Sequence, residues 1–267
     1  MLKLAFSTLG CPDWSWDEIF AAASDLGYDG IEVRGIDSEI FSPSGHPFTD
    51  KNIEKTKARL AAAGLSIPVL ASSVALAEDE NGAGPVLRAK EYIDIAHKLG
   101  TPFVRLMYTG GPHPEGGNFD AAVGRYRQLC EYAAEKNVTP LIETNGLMAN
   151  SANMLDFIQK SGCENSGILW DVHHPFRYFD ESPQDTAKTL GGYVRHVHVK
   201  DSLMQDGLVK YKMMGYGDVP VRDCVDALKA HGYDGYISLE WVRRWNPELE
   251  ESGIVLPHFI GYMKRLI

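Results

Sequence analysis

The sequence predicts an α/β fold, a single (β/α)8 TIM barrel spanning residues 1–267, on three observations. The length of 267 residues matches the roughly 250 that one such barrel uses. Eight short apolar runs, rich in β-branched residues, alternate with longer amphipathic stretches. A glycine or asparagine stands at each of the seven points where a helix should hand over to the next strand.

The first strand is read in KLAFSTLG, from Lys3. Ser15-Trp16-Asp17-Glu18 then reads as a capping box, with Ser15 opening the first helix and Glu18 reaching back to it. The following strands begin near Gly30 (GIEVR), Ser66 (SIPVLAS), Pro102 (PFVRLMY), Val138 (VTPLIET), Gly167 (GILWDV), Tyr193 (YVRHVHV) and Tyr236 (YISLEW). Near-continuous apolar runs suit parallel strands covered on both faces. The helix stops are Gly27, Gly64, Gly100, Asn137, Gly162, Gly191 and Gly232, each expected in the left-handed conformation. Asn246-Pro247-Glu248 is expected to open the last helix, with proline at its first position. The most irregular stretches, 36–48, 109–118 and 201–220, each follow a strand, so they are βα loops on the face where such barrels carry their active sites. No stretch reads as an interdomain linker, and no GxGxxG follows the first strand, which leaves a dinucleotide-binding open sheet little support.

Composition narrows the function. A formal charge of −10 argues against a nucleic-acid partner, since phosphate binding needs a basic face. No apolar run approaches the roughly 18–20 residues of a membrane span. MLKLAFSTLG turns polar too soon for a signal peptide. Cys11, Cys130, Cys163 and Cys224 lie far apart and form no CxxC, so reduced thiols and a cytoplasmic location are expected.

The chemistry is concentrated at strand ends. Glu143, Asp171, His198 and Glu240 close the fifth to eighth predicted strands, and a barrel aims those ends at one centre. A carboxylate there is costly unless paired or metal-bound. Three carboxylates and an imidazole make a mixed oxygen and nitrogen site for one divalent ion, with Mn, Zn, Mg and Co left unranked. A salt-bridged barrel mouth without metal is the alternative. His174 is read as a substrate contact, a fifth ligand or a loop residue. His173 and His196 are read as structural, with an inward-facing His196 supporting the site from below. Lys200 would neutralise a phosphate or carboxylate on the substrate, or sit exposed beside Asp201. Glu32 and Arg34 either line the pocket or pair with each other. Trp14 and Trp16 offer aromatic faces to a sugar ring.

Several stretches carry a resemblance across nearly the whole chain: Gly27-Tyr-Asp-Gly-Ile-Glu32, Leu141-Ile-Glu143-Thr-Asn, Trp170-Asp171-Val-His-His174, His196-Val-His198-Val-Lys-Asp201, Gly215-Tyr-Gly217-Asp and Ser238-Leu-Glu240-Trp. The chain resembles the sugar phosphate isomerase/epimerase group with the xylose isomerase-like TIM barrel. The resemblance implies that Glu143, Asp171, His198 and Glu240 hold the metal, that His174 contacts substrate beside it, and that Glu143 and Glu240 act as the acid/base pair. The implied reaction is isomerisation or epimerisation of a small sugar, ketose or related polyhydroxy carbonyl compound, by proton transfer through a metal-bound enediolate. Loss of a β-hydroxyl from the same intermediate would make a sugar or inosose dehydratase instead, and a non-catalytic metal- and sugar-binding barrel is the reading of another class. The three-zinc endonuclease IV in this superfamily needs histidines at the ends of strands three and four. Here those places read Val69-Leu-Ala-Ser72 and Arg105-Leu-Met-Tyr108. Where the epimerases carry an arginine soon after the metal histidine, this chain has Val199-Lys-Asp-Ser202. The expected partner is a small sugar or polyol-derived molecule, with neither nucleic acid nor membrane, and with a homo-oligomer left open.

Overall fold

The computed structural model describes residues 2–36, 46–78, 82–113 and 116–267, and the backbone at 39–40. Eight parallel strands form one sheet: β1 (Lys3–Ser7), β2 (Gly30–Glu32), β3 (Val69–Ala75), β4 (Phe103–Met107), β5 (Thr139–Glu143), β6 (Gly167–Asp171), β7 (Val194–Val199) and β8 (Tyr236–Leu239). Their spatial order is β2-β1-β8-β7-β6-β5-β4-β3. The remaining seam, between β2 and β3, is bridged at Gly30–Ser66 and Val33–Leu70, and the Ala71 N–H donates to the Val33 carbonyl at 2.9 Å. The chain is therefore a nearly closed (β/α)8 barrel, as its sequence pattern predicts.

Helices α1 (Trp16–Leu26), α2 (Ile53–Ala62), α3 (Gly84–Leu99), α4 (Phe119–Ala134), α5 (Ser151–Ser161), α6 (His173–Phe179), α7 (Pro183–Leu190), α8 (Val221–Ala230) and α9 (Ser252–Met263) lie between the strands or after the last of them. The Ser15 capping box forms as read. Residues 27, 64, 100, 137, 162 and 232 have positive φ, as the helix stops require. Gly191 does not, with φ −52°. There α7 leaves through a 3-10 turn, Gly191–Tyr193, and a Cβ on Gly191 would lie 2.9 Å from the His231 ring. Glycine is needed at that junction for close approach rather than for handedness.

Three boundaries depart from the sequence reading. β3 begins at Val69 rather than near Ser66, because Pro68 has no N–H to give the ladder. Asn246-Pro247-Glu248 does not open α9. It lies in a turn in which the Leu249 N–H reaches the Asn246 carbonyl, and the helix starts at Ser252, whose hydroxyl is bonded to Gly10. The stretch 201–220 contains an antiparallel hairpin, Asp201–Gln205 with Leu208–Lys212, turned at Asp206-Gly207 with both φ positive. In the 36–48 loop, Gly35–Ile36 pairs with Glu39–Ile40, while positions 37–38 and 41–45 lie outside the described residues, as do 114–115 of the 109–118 loop.

The apolar core includes the layer between sheet and helices. α9 closes the ring against the first βα unit: Phe259 stacks on Tyr28, whose hydroxyl donates to the Leu256 carbonyl at 2.7 Å. Among the described residues, no helix is long and apolar enough to cross a membrane.

Candidate metal and substrate site

Parallel register brings the strand ends level. Asp171 and Ser238 both lie opposite His198, and Glu143 lies opposite Leu169. The Thr144 hydroxyl ties β5 to β6 by accepting from the Asp171 N–H at 2.8 Å and donating to its carbonyl at 3.0 Å. The Asp171 carboxylate is fixed by the His173 N–H, which donates to Oδ1 at 3.0 Å. Glu143, Asp171, His198 and Glu240 each present one donor atom within 4.8 Å of the others, and all four are buried.

The imidazole shows what this cluster is built for. His198 Nε2 lies 2.7 Å from Glu32 Oε2, and His196 Nε2 lies 3.1 Å from the same oxygen. A carboxylate acceptor on Nε2 fixes the tautomer and turns the Nδ1 lone pair the other way. Nδ1 has no hydrogen-bond partner among the described residues, and it faces Glu240 Oε1 at 3.5 Å, Glu143 Oε1 at 3.7 Å and Asp171 Oδ2 at 3.9 Å. An orphaned buried nitrogen among three carboxylate oxygens fits a hard divalent cation with a mixed oxygen and nitrogen shell. Burial opposes charge on His198, but Glu32 and Glu240 outweigh it and hold the imidazole well above its ordinary value. A proton and a bound cation would therefore compete for the same ring.

Two buried cations hold the two glutamates ionised. Arg105, inside the apolar run of β4, donates through Nη1 to Glu143 Oε2 at 2.5 Å. Lys200 donates to Glu240 Oε2 at 2.6 Å and to Asp171. Burial alone would raise both glutamates. Arg105 with His198 brings Glu143 well below the usual carboxylate range, and Lys200 with His198 lowers Glu240. Burial likewise opposes charge on Lys200, but Asp171 and Glu240 raise its pKa.

The cluster opens into a cavity of about 210 Å³ whose walls include Glu143, Glu240, His174, Lys200, Arg34 and Arg105. His174 lies 3.4 Å from Asp171 Oδ2 and stacks on Tyr178. Burial lowers its pKa, which keeps the ring neutral, and its Nδ1 is unpaired among the described residues. His173 instead turns Nε2 to the Ser202 hydroxyl at 2.9 Å.

Other expected contacts fall elsewhere. Glu32 is fully buried beneath the two histidines and does not line the cavity, because the barrel interior is packed below its mouth. It pairs neither with Arg34 nor with solvent. Trp14 and Trp16 do not line the cavity either. Trp16 is buried edge-on against Phe48, and Trp14 is half-buried against the core. Lys200 is not an exposed loop residue but a buried one with two carboxylate partners. Arg105, Asn145, Tyr211 and Trp245 line the cavity and were not singled out. A charge inside the apolar run PFVRLMY was the available signal for Arg105, and the Asp206-Gly207 turn was the signal for the hairpin that carries Tyr211.

The chain belongs to the xylose isomerase-like TIM barrel family, whose pattern matches residues 20–255. It is similar to the fructoselysine 3-epimerase of Shigella flexneri, at 23% identity over 271 residues and 92% of each chain. Among solved structures it resembles the probable 3-DHS dehydratase AsbF of Bacillus anthracis, with a TM-score of 0.81 at 17% identity over 98% of this chain and 99% of that one. It also resembles a xylose isomerase-like TIM barrel protein of Mycobacterium smegmatis in complex with magnesium, with a TM-score of 0.76 at 18% identity over 100% and 96%.

Proposed function

We propose that this chain is a divalent-metal-dependent isomerase or epimerase of a small sugar or related polyhydroxy carbonyl compound. The observation that carries the reading is the unpaired His198 Nδ1 facing Glu143, Asp171 and Glu240 beside a cavity that both glutamates line. Those four residues would hold the ion, which when bound supplies Lewis-acid polarisation of a carbonyl. The similarity to a sugar epimerase and to a magnesium-bound barrel supports both parts.

The chain's own groups then divide the work. Glu143 ends β5 and Glu240 directly follows β8, two strands that are not neighbours in the sheet, so they reach the cavity from different sides. One takes a proton from the carbon next to the carbonyl. The other, ionised at rest, first takes a proton from a substrate hydroxyl or water. It passes that proton to the adjacent carbon in isomerisation or to the opposite face in epimerisation, while the first releases its own proton to the oxygen or water so deprotonated. Arg105 and Lys200 keep both glutamates ionised and ready to accept. That lowers their basicity, so the C–H must be acidified for transfer to occur. Neutral His174 and the Lys200 ammonium offer hydrogen bonds to substrate hydroxyls.

The test is solvent deuterium exchange into D-fructose, D-allulose and D-tagatose and into phosphorylated and carboxylate-bearing ketoses, with Mn, Mg, Zn or Co added. Metal-dependent exchange is expected, lost by at least about 100-fold in Glu143→Gln while sugar binding persists. Absence of exchange with every sugar and metal would overturn the proposal, as would near wild-type exchange in Glu143→Gln. Products that have lost water would move the assignment to a dehydratase.

A further inference from the structure

The cavity contains three cationic side chains, and one is unmatched. Arg105 is paired with Glu143, and Lys200 with Glu240 and Asp171. Arg34, just beyond β2, has no ion-pair partner among the described residues, although it is 6% exposed and lines the same cavity. Its Nη1 is buried with no hydrogen bond. Two contacts place the residue rather than neutralise it: the backbone N–H donates to Thr8 Oγ1 at 2.9 Å, and the guanidinium carbon lies 5.9 Å from the Trp245 ring centre. The nearest acidic candidate in sequence, Glu32, turns one oxygen to two histidines and makes no ion pair with Arg34.

An unpaired buried guanidinium is costly and normally finds a carboxylate. Its planar fork matches the two oxygens of a carboxylate or phosphoryl group. The cavity holds about 210 Å³, room for such a group and the few carbons beside it. We propose that Arg34 recognises an anionic group, a carboxylate or a phosphoryl, on the substrate. The inference rests on the proposed function and narrows its substrate class to acidic or phosphorylated polyhydroxy carbonyl compounds.

Three probes share one carbon skeleton and differ in charge: glycerol, D-glycerate and glycerol 3-phosphate. Calorimetric titration of the metal-loaded wild type is expected to show at least one anion binding tenfold or more tightly than glycerol. The tighter anion identifies the group as carboxylate or phosphoryl. Arg34→Gln should abolish that preference, and Arg34→Lys should keep part of it. Without ligand, Arg34→Gln should melt no lower than wild type, because it removes an unpaired buried charge. An anion preference that survives Arg34→Gln belongs to the metal or to Lys200 and overturns the proposal, as does equal binding of all three probes. Deuterium exchange separates this result from the parent reading. Exchange on neutral ketoses with no anion preference sinks the role of Arg34 alone, while an Arg34-dependent preference without exchange sinks the isomerase reading alone.

Discussion

Glu32 ends β2 without solvent access, and one of its oxygens serves two imidazoles. Its effect on chemistry runs through His198, whose ring orientation it sets, so it is a positioning residue. Replacing it with Gln keeps the shape but offers an amide that can donate as well as accept, which removes the preference for one tautomer. Glu32→Gln should weaken Mn or Zn binding by roughly 10–100-fold. Competition with a chelating dye would measure this, and unchanged affinity would show that the contact only packs. The same residue marks a boundary of what sequence can say. Glu143, Asp171, His198 and Glu240 were legible because each closes an apolar strand. Glu32 closes one too, yet it faces the packed floor. Period-2 alternation tells inward from outward but not floor from mouth. Arg34 and Glu32 illustrate the same gap: two residues apart in sequence, they could be read as a pair, but they serve different layers.

The loop that carries the hairpin after β7 is gathered on the Asp201 carboxylate. Asp201 accepts from the N–H groups of Ser202, Gly215 and Gly217 at 2.8–2.9 Å and of Val219 at 3.2 Å. Arg177 of α6 grips the same loop at the Ser202 hydroxyl and at Asp218. This knot places Tyr211 over the cavity. Gly217 makes it possible, since a Cβ there would lie 2.4 Å from the Ser202 carbonyl oxygen and would also meet the Asp201 carboxylate. Gly217→Ala must therefore displace backbone. We expect a loss of roughly 1–3 kcal/mol in unfolding free energy, as overpacking usually costs, together with weaker sugar binding. A urea melt and a calorimetric titration would show both, and wild-type values in each would refute the close approach. The glycines were visible in Gly215-Tyr-Gly217, but a glycine pair alone does not reveal whether a ligand or a carboxylate approaches it. Here it is a carboxylate of the chain itself. The helix stops were easier to read because a left-handed exit is a local requirement. Gly191 failed as one because its need is tertiary, the closeness of His231.

At the scale of the whole barrel, the cysteines report how tightly the layers close. Cys11, Cys130 and Cys224 are buried and Cys163 is half-buried, and all four are free, as the absence of CxxC suggested. Burial pushes the Cys11 thiol up to about 12, and it raises Cys130 and Cys224 as well. In the unfolded chain a thiol ionises near 8.5. Above that pH the unfolded chain releases thiol protons that the folded chain keeps. The folded state then binds more protons, and stability must fall as pH rises. The contribution is fully present below about pH 8.5 and declines by up to about 1.4 kcal/mol per pH unit for each thiol until the folded value is reached. Urea unfolding measured from about pH 8 to 10, below most tyrosine ionisation, should therefore show a steady loss of stability. Alkylation at pH 8.5 should modify Cys163 well before the other three, with all four reacting together in urea. A flat stability profile, or rapid native labelling of Cys11 or Cys224, would mean that the layer between sheet and helices opens to solvent far more often than the interlocked Tyr28, Phe259 and Leu256 contacts imply.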